Sequence, residues 1–133
     1  MCRFAFIAAV LGCCLVAPAV RPQSLPTFTA AQAQRGHAAY LANCAGLCHG
    51  DDLDNGDAMP IKGDLFLANW GGKPLDELFM LFVTKMPPAS PNSLSASTYA
   101  DILAYVLSQN RVKPSDVELP ADAQALKQMA PPK

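Results

Sequence analysis

Residues 40–50 read YLANCAGLCHG, and the rest of the chain is organised around this stretch. Cys44 and Cys48 lie four positions apart, and His49 follows the second cysteine directly. Two thiols and an imidazole at this density make a site for a thioether-linked haem, a metal ion or a redox disulfide. The haem-attachment pattern is Cys-x-x-Cys-His, in which the cysteines add to the vinyl groups and the histidine binds iron. This stretch has one residue more between its thiols.

The additional residue leaves covalent attachment compatible with the spacing. Residues four positions apart differ by about 40° around a helix of 3.6 residues per turn, so both thiols can share one helical face. Gly46 can also absorb a local bulge at little steric cost. A single thioether at Cys48, beside the histidine, is the alternative.

Composition sets the broad class of the protein. The 133 residues favour one domain, and 51% hydrophobic with 16% charged residues is an ordinary globular balance. The formal net charge of -1 gives no indication of the basic face that a phosphate-binding protein needs, so the chain is not expected to bind nucleic acid.

The first residues have the pattern of a secretory signal. Arg3 precedes an apolar run over residues 4–16, and Ala17 and Ala19 are small residues where a signal peptidase reads. We therefore predict a signal peptide over residues 1–19, a periplasmic protein and no integral membrane span in the mature chain. A lipobox-like sequence ending at Cys13 gives a lipid anchor as the alternative. Cleavage leaves two cysteines, which argues against a disulfide scaffold.

The chain predicts an all-α domain over residues 29–112. Thr29 and Gln32 have capping-box spacing, and the helix that follows leads into Cys44. The other predicted helices cover 65–70, Leu75 to near Lys85, and the Ser95 cap to about Asn110.

The remaining segments carry weaker signals. Residues 20–28 predict a flexible lead-in, and residues 113–133 a loose tail that contains a short helix from Asp122 to Met129 with Leu126 as its apolar anchor. The acidic stretch 51–57 is a solvated turn, because a calcium loop lacks its closing glutamate. The three to four helices of the domain leave a thin core, which a haem between the loops would fill.

A haem at this site needs a sixth ligand from elsewhere in the chain, and Met86 is the best candidate. Met1 leaves with the signal, Met80 lies inside a helix and Met129 in the tail, while Met59 is on the segment that follows the histidine. Met86 is far enough along the chain to reach the other haem face, and the two prolines after it stiffen its loop. Ligation by His49 and Met86 fills both axial positions, which suits electron transfer.

Four features together resemble class I c-type cytochromes, over about residues 30–110. They are the spacing of Gly36, Tyr40 and Cys44, the Cys-His pair at 48–49, the Met-Pro-Pro at 86–88, and residues 99–106, YADILAYV. The resemblance implies a cytochrome c-like fold, in which Gly36 packs near Tyr105 where the first and last helices cross.

The same resemblance implies roles for two further residues and for the protein. The Pro60 carbonyl would accept a hydrogen bond from the free N–H of the histidine, and Trp70 would lie near a haem propionate. One covalent haem c, held by Cys44, Cys48, His49 and Met86, would make the chain a one-electron carrier rather than an enzyme. The segment 70–110 is similar to small bacterial cytochromes that serve quinoprotein dehydrogenases. The implied partners are therefore a dehydrogenase donor and an oxidase or another cytochrome as acceptor.

Two other functional classes stay open from the sequence. A haem enzyme or gas sensor would leave the sixth position open, and its reduced form would bind carbon monoxide readily. A haem-free zinc or disulfide protein would use Cys44, Cys48 and His49, with His37 as the fourth zinc ligand. Such a protein would be colourless.

Overall fold

Helices make up the fold, and the all-α prediction is confirmed. The computed structural model describes residues 23–133, so the predicted signal peptide and the lipobox alternative lie outside the described residues. Within the described range, the only β-type pairing is an isolated bridge between Ser24 and Met129. The helices are α1 (Ala30–Asn43), α2 (Gly46–His49), α3 (Gly63–Trp70), α4 (Leu75–Lys85), α5 (Ala96–Ser108) and α6 (Ala123–Leu126).

Two helices begin at the caps that the sequence predicts. The Thr29 hydroxyl accepts a hydrogen bond from the Gln32 backbone N–H at 3.0 Å, and the Ser95 hydroxyl accepts one from Thr98 at 3.1 Å. The capping box itself is not formed, because the Gln32 side chain is buried and bonds elsewhere. Its amide nitrogen donates to the Leu119 carbonyl at 3.0 Å, and its oxygen accepts from the Leu119 N–H at 2.7 Å.

The crossing of α1 and α5 is the principal contact between helices in residues 23–133. Gly36 lies at the crossing: a Cβ atom there would overlap the Asp101 carbonyl oxygen and lie 3.0 Å from Cβ of Tyr105. The predicted contact between Gly36 and Tyr105 is therefore confirmed. Arg35, one residue earlier, pairs with the Asp101 carboxylate through Nε at 3.0 Å and Nη2 at 3.1 Å. This crossing fixes the direction in which α1 delivers the cysteine segment.

The lead-in and the tail are packed onto the domain, and the prediction of loose ends is wrong for the described residues. Phe28 is fully buried, and its carbonyl accepts a hydrogen bond from the Ser115 N–H at 2.7 Å. The backbone of Ser24 bonds on both sides of Met129, to Gln128 and Ala130. The prediction failed because these ties run mostly between backbone groups, which leave no periodic side-chain pattern.

The tail also fixes the start of α4. Asp122 caps the short α6 through Ala125, and Leu126 is fully buried, as its predicted role as an anchor requires. The Leu75 N–H donates to the Met129 carbonyl at 2.9 Å, and the Gly72 N–H donates to the Pro131 carbonyl at 2.9 Å. Residues 113–133 thus form a belt that joins α1 to the beginning of α4.

No helix within residues 23–133 is both long enough and apolar enough to cross a membrane.

Candidate functional site

A cavity lies where the end of α1, the loop after His49, the end of α4 and helix α5 meet. Its volume is ≈ 120 Å³. Its walls are almost entirely apolar. Among the residues that line it are Tyr40, Cys44, Cys48, His49, Met86 and Ile102.

The cysteine segment is not one continuous helix, so the expectation that both thiols share one helical face is wrong. Helix α1 ends at Asn43, and the Tyr40 carbonyl accepts from the N–H groups of both Cys44 (2.8 Å) and Ala45 (3.1 Å). The chain then restarts at Gly46, whose φ of 61° lies in the left-handed region that glycine tolerates best. Gly46 thus takes up the irregular backbone, as its position predicts, and this break accommodates the additional residue.

Both thiols line the cavity despite the break. Neither is in a disulfide: Cys44 is half-buried and Cys48 is exposed. Burial, with a smaller contribution from the neighbouring Cys48, raises the pKa of the Cys44 thiol to about 11. The two sulfurs therefore differ in accessibility at one wall of the cavity.

His49 reaches the same cavity with one ring nitrogen already engaged. Its Nδ1 lies 3.2 Å from the Met59 carbonyl oxygen. A carbonyl can only accept, so this hydrogen bond puts the proton on Nδ1 and leaves the lone pair of Nε2 available for a metal. The carbonyl belongs to Met59 rather than to Pro60, which corrects the expectation for Pro60. The proline acts one residue away, because it restricts Met59 to extended backbone.

The acidic stretch after the histidine folds back against the cysteine segment. The Tyr40 hydroxyl donates to the Gly50 carbonyl, and the Ala58 N–H donates to the Cys48 carbonyl at 2.6 Å. Burial is the main reason that the pKa of Tyr40 is raised, so its hydroxyl keeps the proton it donates. Most of the side chains at 51–57 are exposed, as expected for a solvated turn. The hydrogen bonds at Gly50 and Ala58, on either side of this stretch, hold the histidine beside the cavity.

Met86 lies on another wall of the cavity, at the end of α4. Its N–H donates to the Phe82 carbonyl at 3.0 Å, and its own carbonyl accepts from the Tyr99 hydroxyl at 2.8 Å. Pro87 and Pro88 also line the cavity. Among the other methionines in residues 23–133, Met59 is 62% exposed, Met80 is 42% exposed and Met129 packs in the tail, and none of these lines the cavity. Met86 is therefore the methionine that the fold brings to the thiols and the histidine.

Trp70 does not reach the cavity. It ends α3 in a half-buried position, and the Lys73 ammonium lies 5.4 Å from the centre of its ring. The expectation that Trp70 lies near a haem propionate is therefore not supported by its position. The reason is local, because Gly71 ends the helix and turns the chain toward the belt at Pro131.

Asn110 supports the cavity and was missed by the sequence reasoning, which treated it as a helix end. It is 1% exposed. Its Nδ2 donates to the carbonyls of Ile61 (3.0 Å) and Val106 (2.7 Å), and its Oδ1 accepts from the Gly63 N–H (2.9 Å). Ile61 lines the cavity, so Asn110 ties this wall to α5. A polar residue after a helix gave no signal for such a contact.

The zinc alternative lacks a ligand set in the part of the chain that the structure describes. Within residues 23–133, no three His, Cys, Asp or Glu side chains are grouped so that they could hold a metal ion. His37, the proposed fourth ligand, instead stacks on the Tyr105 ring with the ring centres 4.6 Å apart.

The residues of the cavity fit a haem. Two unbonded thiols, an imidazole with a free Nε2 and a thioether sulfur line one apolar space. These are the groups that covalent attachment and axial ligation require. Apolar walls also suit the porphyrin ring better than they suit a hydrated ion.

Comparison with known families agrees with this donor set. The family model described as "Cytochrome C oxidase, cbb3-type, subunit III" matches residues 31–106, which is more than half of the chain. No curated protein and no solved structure matches. The matched range includes both cysteines, the histidine and Met86. The chain therefore belongs to this family, and it is a c-type cytochrome domain, a haem-based carrier of electrons.

Proposed function

We propose that the protein is a periplasmic one-electron carrier with a single covalently attached haem c. His49 and Met86 would bind the haem iron, and Cys44 and Cys48 would be the attachment points. The convergence of these four side chains on one apolar cavity carries the proposal. A haem bound there supplies a one-electron Fe(III)/Fe(II) couple.

The residues around the cavity orient the histidine and set the properties of a bound haem. The Met59 carbonyl holds the His49 ring through Nδ1, which fixes its plane and its tautomer. Met86, when bound, fills the position that oxygen or peroxide would otherwise take, and a methionine ligand raises the reduction potential. The apolar walls act in the same direction because they disfavour the more highly charged oxidised state.

Attachment would proceed by addition of each thiol across a vinyl group. Cys48 is exposed and directly precedes the histidine, which favours it as a thioether whatever happens at Cys44. The break at Gly46 allows both thiols to line the cavity, so we propose that both bonds form.

Export follows from the predicted signal over residues 1–19, with lipidation at Cys13 as the alternative. We propose a dehydrogenase as electron donor and an oxidase or another cytochrome as acceptor. The likeness of residues 70–110 to small cytochromes of quinoprotein dehydrogenases supports the donor. Mass measurement of the exported chain reports cleavage, lipidation and haem addition together.

The ligation is tested with the variant Met86→Ala and the matched control Met80→Ala, an exposed methionine of α4, the helix that leads into Met86. In a host that matures cytochromes, the wild-type chain should retain haem after denaturation and show the weak methionine–iron band when oxidised. Met86→Ala should lose the band and keep the covalent haem, while Met80→Ala should keep both.

Two results would contradict the proposal. Survival of the band in Met86→Ala would assign the sixth ligand to another residue. Rapid binding of carbon monoxide by the reduced wild-type protein at neutral pH would indicate an open sixth position, as in a haem enzyme or gas sensor.

A further inference from the structure

The loop that carries Met86, residues 86–92, has few hydrogen bonds of its own. Pro87 and Pro88 have no N–H to donate, and the loop's other backbone bonds run to α4 or within the loop. These are Met86 N–H to Phe82, Ser90 N–H to Pro87 and Asn92 N–H to Val83. Both ends of the loop, Met86 and Asn92, are therefore bonded to the backbone of α4.

The Tyr99 hydroxyl provides the bond to the rest of the domain. It donates to the Met86 carbonyl at 2.8 Å, and it is the one hydrogen bond in residues 23–133 that joins the 86–92 loop to α5. Tyr99 is itself 2% exposed and lines the cavity, so packing holds its ring in place. The N–H of Met86 donates to the Phe82 carbonyl, so both backbone polar groups of Met86 are hydrogen-bonded.

We propose that Tyr99 is a positioning residue for the methionine ligand. By fixing the Met86 carbonyl, its hydroxyl holds the side chain toward the cavity and lowers the frequency with which the sulfur leaves the iron. This inference rests on the proposed ligation by His49 and Met86. It assigns the resistance of the sixth position to competing ligands to a residue that does not touch the iron.

Competition by imidazole tests the proposal in the oxidised, haem-loaded protein. Tyr99→Phe keeps the ring and removes only the hydroxyl. The matched control is Tyr105→Phe on the same helix, because the Tyr105 hydroxyl makes no hydrogen bond in the described part of the chain and its ring does not line the cavity. Loss of one hydrogen bond of ordinary strength should raise the imidazole binding constant roughly three- to tenfold in Tyr99→Phe. Tyr105→Phe should bind imidazole as the wild-type protein does.

Denaturant unfolding, followed through both the methionine–iron band and the helical signal, separates positioning from general stability. The methionine–iron band of Tyr99→Phe should disappear at a lower denaturant concentration than the helical signal, whereas in the wild-type protein the two should be lost closer together.

The proposal is overturned if Tyr99→Phe unfolds more easily yet binds imidazole with the wild-type constant, or if Tyr105→Phe shows the same increase. If the wild-type protein has no methionine–iron band, the ligation itself fails and this proposal falls with it. If the band is present and only the Tyr99→Phe effect is missing, the ligation stands and the positioning role does not.

Discussion

At the scale of single residues, Gly46 decides whether three residues fit between the two cysteines. Its φ of 61° lets the chain restart as α2 after the break at Cys44, and no atom beyond its own stretch of chain lies within 4 Å of the position where a Cβ would stand. The glycine is therefore required for its backbone conformation and not for space.

We expect Gly46→Ala to lower the free energy of unfolding by about 1 kcal/mol, because a side chain strains a left-handed backbone. The same strain should lower the fraction of exported chains that carry two thioethers. Mass spectrometry of haem-linked peptides measures that fraction, and denaturant unfolding measures the stability.

Gly63→Ala is the matched control for this change. Gly63 has a φ of 74° and likewise no atom within 4 Å of a Cβ, but it begins α3, away from the thiols. It should show a similar loss of stability with normal haem attachment. Equal attachment defects in both variants would mean that the defect comes from lost stability.

The two thiols should also differ in reactivity before haem is attached. Only the thiolate is alkylated, and at pH 8 a thiol with a pKa of about 11 is roughly 0.1% thiolate. In the haem-free chain, iodoacetamide should therefore modify the exposed Cys48 first. The rate at Cys44 should rise about tenfold for each pH unit from 8 to 10. Peptide mass spectrometry at several pH values checks this, and equal rates at neutral pH would contradict the burial of Cys44.

At the scale of elements, helix α5 connects the walls of the cavity. Near its start Tyr99 bonds the Met86 carbonyl, and just past its end Asn110 bonds the backbone at Ile61 and Gly63. Its middle crosses α1 at Gly36. The relative placement of the cysteine segment, the histidine loop and the methionine loop therefore depends on this one helix.

Replacing Gly36 with alanine tests the crossing, because the expected change in stability is opposite in sign to the change in an isolated helix. In an isolated helix, replacing glycine with alanine is stabilising by about 1 kcal/mol. At Gly36 the added Cβ would overlap the Asp101 carbonyl, a backbone atom that cannot move alone. We therefore expect Gly36→Ala to destabilise the protein by about 3 kcal/mol, measured by denaturant unfolding.

Ala38→Gly, at an exposed position of the same helix, provides the reference. It should cost about 1 kcal/mol through helix propensity alone. A stabilising Gly36→Ala variant would show that α1 and α5 do not approach as closely as described.

At the scale of the whole molecule, the belt formed by residues 113–133 lies beyond the range that matches the family. The Leu119 backbone is held by Gln32 of α1, Glu118 by Arg35, and Met129 by Leu75 at the start of α4. Helix α4 ends at Lys85, directly before Met86, so the belt and the methionine wall are joined through one rigid element.

Removing the Gln32 amide should release this belt. Gln32→Met keeps the length of the side chain but leaves the buried N–H and carbonyl of Leu119 without partners, which should cost about 2 kcal/mol or more. Hydrogen exchange across 113–133 should increase. The exposed neighbour Gln34→Met should change neither quantity. Unchanged exchange in Gln32→Met would mean that the belt is held by its apolar anchors alone.

The sequence by itself determined the parts of this protein that rest on local physics. The Thr29 and Ser95 caps, the proline-bounded helices and the 3.6-residue periodicity predicted where the main helices lie. The thiols and imidazole at 44–49 predicted a haem, because a Cys-His pair with a second cysteine shortly before it resembles the haem-attachment pattern.

Only the tertiary structure decided which groups meet across the chain. The carbonyl at His49 comes from Met59, Trp70 stays outside the cavity, and Gln32 binds Leu119 instead of closing its own cap. Tyr99 and Asn110 support opposite ends of α5 through bonds to distant backbone atoms. A backbone carbonyl is present at every residue, so the sequence carries no mark of which one a side chain will reach until packing brings them together.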